Sequence, residues 1–386
     1  MNRTGTTELL FGTDTGSRLL RARVWALRLL AWIFSILAVI VGINVVVDSY
    51  GIMRTDFSSQ VQEPNKNYLK VKYLLGHKDR FDSYLFGSSR VNTIDVTKIP
   101  GGKYYNMTYS EGLPEEHLEN IRFLLKHGVR VKNVVIGLED FSYRVDPAQH
   151  ADDLLRQPYP GISGKSWLTF YGEYYLKKSR FFRNIRDYVR QNVLKEPPAD
   201  GKRIVYDIFG TGMTYCLDCD RRIEADPAKH AADPRMRIPF HYGGNDIDKA
   251  LTSIRGLVAL ARQHHFRLLF FFDPIYEVTY LDSDLPLMMR FKKELAAVTD
   301  YYDFSGLNTI TTNSYYFHDT KHFRGMVGDM MLRRMFGMPK VAVPADFGVL
   351  VTRRNVDEHI ALLERQLRER ELKLKRKVLP KAVSSR

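Results

Sequence analysis

Leu29 to Val47, LLAWIFSILAVIVGINVVV, runs for 19 residues without a charged side chain, and Trp25-Ala26-Leu27 extends it across Arg28. At about 1.5 Å per residue such a helix spans roughly 28 Å, close to the hydrocarbon thickness of a bilayer. Two other readings compete with a membrane span. A buried helix of a soluble protein rarely runs this long without a polar face. A cleaved signal peptide carries an apolar region of about 7–15 residues that ends in an A-x-A-like site, whereas this run is longer and exits through Asp48-Ser49-Tyr50-Gly51. Residues 25–47 therefore read as an uncleaved transmembrane signal anchor. Arg3, Arg18, Arg21, Arg23 and Arg28 precede the span, and of the residues just after it only Arg54 is basic. The positive-inside rule then predicts a cytoplasmic segment over 1–24 and a main domain outside the cytoplasm, in the periplasm of a Gram-negative cell. Leu268–Phe272 is too short for a second span and reads as a buried strand.

The rest of the chain has a globular composition. Of 386 residues, 44% are hydrophobic and 26% charged, which excludes wholesale disorder. Two cysteines exclude a disulfide scaffold. A net charge of +14 invites a nucleic-acid reading, but the excess sits mainly at the ends: 5 Arg against 2 acidic residues over 1–28, and 11 basic against 5 acidic over 353–386. No nucleic-acid partner is expected. No Walker loop, GxGxxG or HExxH occurs, so neither a cofactor nor a metal is expected.

Short apolar runs that end in small or acidic residues alternate with helical patterns. Ser83–Phe86 leads into Gly87-Ser88-Ser89, Asn133–Ile136 into Gly137-Leu138-Glu139-Asp140, and Phe266–Phe272 into Asp273-Pro274, with Tyr301–Phe304 a weaker strand. Glu115–His127 and Asp246–His264 carry apolar stripes at helical spacing, and Gly128 is a natural stop for the first. This alternation predicts an α/β fold with a parallel sheet covered by helices on both faces, whose ligands bind past the carboxyl ends of the strands. We expect a linker over 48–74, the domain over 75–340 with an insertion at about 145–245, and a charged amphipathic helical tail over 341–386.

Within the insertion, the aromatic-rich stretch Trp167–Tyr188 suits helix packing or a position near the membrane, with stacking on sugars or bases as the alternative. Cys216 and Cys219 could be half a zinc site, but no second cysteine pair exists and His230 and His241 lack finger spacing; outside the cytoplasm a local disulfide is favoured. The tail presents Val356, Ile360, Leu363, Leu367 and Leu374 among many charges, which suits packing on the domain, or else a partner or an anionic lipid surface.

Two motifs carry chemistry. Phe86-Gly87-Ser88-Ser89-Arg90 follows the first strand, and Phe317-His318-Asp319-Thr320-Lys321-His322-Phe323 contains D-x-x-H. A serine in the turn after a strand can meet backbone N–H donors. An Asp and a His three residues apart can approach it from one loop, the His as base and the Asp holding its tautomer.

On these residues the chain resembles the SGNH/GDSL hydrolase superfamily. G-x-S maps onto Gly87-Ser88-Ser89 and D-x-x-H onto Asp319 and His322. Gly112 stands for the glycine of the second block. Gly137-Leu138-Glu139-Asp140 corresponds to G-x-N-D, with Glu139 in place of the Asn that donates to the oxyanion. The F-G-S-S-R form and Asp303-Phe304-Ser305 are similar to the membrane-anchored branch, which includes D-alanyl transfer proteins of teichoic-acid modification and alginate O-acetylation proteins. The resemblance covers roughly residues 75–335. It implies a three-layer flavodoxin-like fold with Ser89 as nucleophile, His322 as base and Asp319 as its orienting partner. The oxyanion donors would be the N–H groups of Ser89 and Gly112, with Glu139 in the third block's place. Arg90 would bind an anionic substrate group or make a structural ion pair. The implied activity is O-acyl transfer to a cell-envelope or exported polysaccharide, beside a multi-pass membrane acyltransferase that delivers the acyl group. The alternatives are an esterase that removes acyl groups and a non-catalytic subunit that binds a glycan or a membrane partner.

Overall fold

The computed structural model describes residues 14–150, 153–176, 181–198, 201–240, 242–339 and 341–378. The first thirteen residues of the basic segment, His241 and the last eight residues of the tail lie outside these. Asp14–Val47 forms one helix, apolar over most of its length. Its apolar part is long enough to cross a membrane and almost wholly uncovered by protein, unlike the core helix of a soluble domain.

Among the described residues eight strands follow: β1 (Ser83–Phe86), β2 (Tyr104–Asn106), β3 (Asn133–Leu138), β4 (Ile204–Tyr206), β5 (Thr214–Cys216), β6 (Arg267–Phe272), β7 (Tyr301–Asp303) and β8 (Val349–Val351). Six of them make one sheet in the order β2-β1-β3-β6-β7-β8, parallel throughout except for β8, which runs antiparallel to β7. The longest pairing runs from Asn133 opposite Arg267 to Leu138 opposite Phe272.

Side-chain alternation builds the two faces. Tyr84, Phe86, Val134, Ile136, Leu138, Phe270 and Phe272 point to one side, where the helices Lys66–Gly76, Pro114–Lys126, Ile247–His264, Leu285–Val298 and Val356–Val378 cover them. Leu85, Val135 and Phe271 point to the other, against the helix Gly325–Phe336. Strands buried on both faces read as continuous apolar runs, which is why NVVI and LLFFF stood out in the sequence. The chain is thus mixed α/β with a mostly parallel six-strand sheet and helices on both faces.

Three expectations of layout change. The segment 48–74 is no free linker. Asp48 accepts the N–H groups of Ile52 and Met53 at 3.0 and 2.9 Å, and the Arg54 guanidinium donates back to the Val47 carbonyl at 3.0 Å. Asn65 caps the Lys66–Gly76 helix through the Tyr68 N–H and donates to the carbonyls of Leu154 and Gln157. Nor does the domain end near 340. The tail supplies β8, buries Leu363, and sends His359 to Asp303 at 2.7 Å. Between the expected strands, Tyr104–Asn106 is a further one, at the edge beside β1. The insertion does stand apart from the main sheet, with β4 and β5 forming their own antiparallel pair. Cys216 and Cys219 are joined in a disulfide with Cα atoms 5.5 Å apart.

Candidate active site

The β1 strand ends at Gly87, whose φ of +145° few side chains tolerate. A Cβ there would also lie 2.5 Å from Val91 Cγ2, so this turn requires glycine. Ser88 follows in extended conformation and accepts the Arg90 N–H at 3.0 Å, capping a single 3-10 turn over Ser89–Val91. Ser88 and Arg90 are buried, while Ser89, at the head of the turn, keeps partial exposure. Gly112 packs against this turn, and a Cβ on it would meet the Gly87 carbonyl at 2.7 Å and His117 at 2.6 Å.

The D-x-x-H segment is a tight loop pinned at both ends. Phe317 and Phe323 are fully buried and bridge each other, and His318 N–H donates to the His322 carbonyl at 2.8 Å. Asp319 Oδ1 accepts the N–H groups of Lys321 and His322, both at 2.9 Å, which closes the loop around the carboxylate. Its Oδ2 lies 2.8 Å from His322 Nδ1. His322 Nε2 is 3.1 Å from Ser89 Oγ. One hydrogen-bonded chain therefore joins residues 233 positions apart, and a carboxylate on Nδ1 leaves Nε2 as the acceptor facing the hydroxyl. Burial alone would raise the Asp319 carboxyl. The His322 hydrogen bond and charge, with the two backbone donors, hold it well below the usual carboxylate range instead.

Arg90 makes the structural ion pair that was one of its two expected roles, and Glu139 is part of that pair. Arg90 is 2% exposed and does not face substrate. Its guanidinium pairs with Glu139 at 3.1 Å and Asp140 at 2.8 Å, and lies over the Phe141 ring. Glu139 is equally buried, with one oxygen accepting the Ser88 hydroxyl and the other facing Arg90. It therefore lies beneath the serine turn, engaged on both oxygens, and offers no oxyanion donor in the place of the family's Asn. Burial, opposed by Arg90 and Ser88, pushes its carboxyl up to about 7. Burial and the Glu139 charge push the neighbouring Asp273 well above its ordinary value.

Several residues around the site carried no motif. Glu63, from the segment just after the anchor, accepts Ser110 Oγ and Lys66 Nζ, each at 2.6 Å, and lies close enough to feel the charge of His322. Burial would raise its carboxyl, but Lys66, Ser110 and His322 together lower it. Lys321 sits 3.3 Å over the Phe240 ring, and burial lowers its ammonium. Tyr242 donates to Glu111, whose φ is +52°, so the insertion contributes two aromatics beside the loop that carries Gly112. Only their final proximity identifies Glu63, Phe240 and Tyr242, which lie far in sequence from the motifs they join, whereas Lys321 lies inside the D-x-x-H motif itself. Among the described residues the one group with metal-ligand spacing is Cys216, Asp218 and Cys219, and its two sulfurs are bonded to each other.

No protein-family model matches the chain, and a search of curated proteins finds no relative.

Proposed function

We propose that this chain is a membrane-anchored, serine-dependent O-acyltransferase of the SGNH/GDSL type, acting on a cell-envelope or exported polysaccharide. The observation that carries the reading is the hydrogen-bonded series Ser89–His322–Asp319 at the carboxyl edge of a parallel sheet. The strand order β2-β1-β3-β6-β7 supports it, because it is the order of flavodoxin-like doubly wound sheets. The long apolar helix supports attachment to the membrane, with the arginines before it on the cytoplasmic side.

In the reaction, Ser89 Oγ attacks the acyl carbonyl of the donor while His322 Nε2 takes its proton. The donor's alcohol leaves with that proton, and acyl-Ser89 remains. A sugar hydroxyl then gives its proton to His322 and attacks the same carbonyl, which restores Ser89 and releases the acylated sugar. The N–H groups of Ser89 and Gly112 stabilise the oxyanion, and a multi-pass membrane acyltransferase supplies the donor.

The test uses the full-length protein in detergent. A serine-directed phosphonate should label Ser89, and Ser89→Ala should abolish labelling without loss of thermal stability. In cells the same substitution should remove acyl groups from the polymer and leave its synthesis unchanged. A gain of acyl groups would identify a deacylase instead. Unchanged acylation in Ser89→Ala, with loss only on deletion of the gene, would mean a non-catalytic subunit, the reading that the absent oxyanion Asn favours.

A further inference from the structure

The long helix is bare except at its C-terminal end. Residues 16–39 are exposed, and protein cover begins at Ile40 and Val41 and takes in Ile43, Asn44 and Val47, while Gly42, Val45 and Val46 stay exposed. The cover comes from two short helices of the insertion, Trp167–Tyr175 and Phe181–Tyr188. Asn44 Nδ2 donates to the Tyr175 carbonyl at 2.7 Å, and Val41 packs against a cluster that contains Phe170, Tyr174 and Tyr175. Gln62 ties the second helix to the segment after the span through Asn184, at 2.6 Å.

Val41 lies six residues before Val47, about 9 Å lower along the helix axis. Elements that reach Val41 therefore reach below the end of the apolar run, to the roughly 5–10 Å depth at which in-plane amphipathic helices lie. Their outer surfaces suit that depth. Leu168 is 86% exposed, Phe182 79% and Leu176 53%, large apolar side chains left uncovered on or beside the two short helices that touch the long one. Trp167, also exposed, adds an aromatic of the kind enriched at membrane interfaces. Arg183, Arg186 and Arg190 are exposed on the second helix and its continuation, paired at the surface with Asp187 and Glu196 and in excess of them.

We propose that these two helices form a membrane-seated shelf. Leu168, Leu176 and Phe182 enter the interfacial layer of a phospholipid bilayer beside the span, and the three arginines meet its headgroups. The inference rests on the anchored reading of residues 25–47 and goes beyond it: the domain is docked on the lipid surface by a second element, and its site is held at a set height. Continuity with the span selects lipid, rather than a protein, as the occupant of this face.

The experiment uses the full chain in vesicles of phosphatidylethanolamine with phosphatidylglycerol. Nitroxide labels are placed at introduced cysteines, Leu37→Cys in the span, Leu168→Cys and Phe182→Cys on the shelf, and Leu350→Cys on the exposed side of β8. Labels at 168 and 182 should collide with oxygen in preference to a water-soluble nickel chelate, as at 37 and opposite to 350. Labels at 168 and 182 that behave like 350, with 37 still in lipid, would overturn the shelf and leave the anchor standing. Exposure of 37 to the chelate would overturn the anchor and the shelf together. A second measurement reads the consequence. Leu168→Glu combined with Phe182→Glu should leave phosphonate labelling of Ser89 in detergent unchanged, while polymer acylation in cells falls about tenfold or more, because the site loses its position over its substrate. Unchanged acylation would overturn the positioning role.

Discussion

Asp319 spends its two oxygens on three donors, the amides of Lys321 and His322 and the imidazole Nδ1–H. Asp319→Asn keeps the shape but can present an N–H to Nδ1 and so favour the wrong tautomer. Ester turnover on a generic acetyl ester should fall by roughly 10³–10⁴-fold while the fold persists. The two motifs were legible because each is local: a glycine that the turn requires at Gly87, and an Asp–His pair closed by its own backbone. Glu139 was not legible. The β1–β3 pairing sets Phe86 opposite Ile136, so the residues just beyond, Arg90 and Glu139, meet at the same sheet edge. That ion pair depends on strand register, which no single segment displays. It also changes what substitution does there. Glu139→Asn should not improve an oxyanion site, but should destabilise the domain by about 3–5 kcal/mol in urea unfolding, since it strips a buried guanidinium of a partner. The pH profile offers a second check. A carboxyl raised to about 7 in the folded state favours folding at low pH, and its contribution is lost as pH rises from about 4.5 through 7. Across that window the stability difference between wild type and Glu139→Gln should narrow as pH rises, read from melts at successive pH values.

Lys292, Asp303 and His359 join three elements at one buried point: the Leu285–Val298 helix, the end of β7 and the tail helix. Lys292 Nζ lies 2.6 Å and His359 Nε2 2.7 Å from the same carboxylate oxygen. Burial would raise the Asp303 carboxyl, but Lys292 and His359 hold it far below its ordinary value. Its stabilising contribution is therefore present above about pH 4 and is lost as pH falls further. Lys292→Met should cost about 3–5 kcal/mol and move acid unfolding to higher pH, measured by circular dichroism against pH. The sequence placed Asp303 in a family motif and read the tail helix as one that could pack on the domain, but neither reading shows this junction. β2 and β8 have three residues each, too short to show a period, and β8 becomes a strand only because β7 offers a free edge. The helices Pro114–Lys126 and Ile247–His264, by contrast, lie within one residue of expectation, because their apolar stripes run for several turns.

For the whole molecule, the arginines before the long apolar helix are the basis of the proposed orientation. A reporter active only outside the cytoplasm, fused after Arg386, should be active, and activity in a cytoplasm-only reporter would reverse the side on which Ser89 works. The joint between span and domain has little slack, since Asp48, Arg54 and Asn65 are each held by neighbouring backbone. If residues 25–47 span a membrane as proposed, a joint this short and a domain of about 20 Å radius of gyration confine Ser89 to a slab parallel to the membrane. Under the proposed function, a polymer threading outward is within reach only while a given stretch crosses that slab. On that reading the protein works like a stationary head reading a moving tape, and the spacing of acyl groups along the product records how fast the tape was drawn. Slower export should give denser acylation at unchanged enzyme level, which acyl content per sugar measures directly.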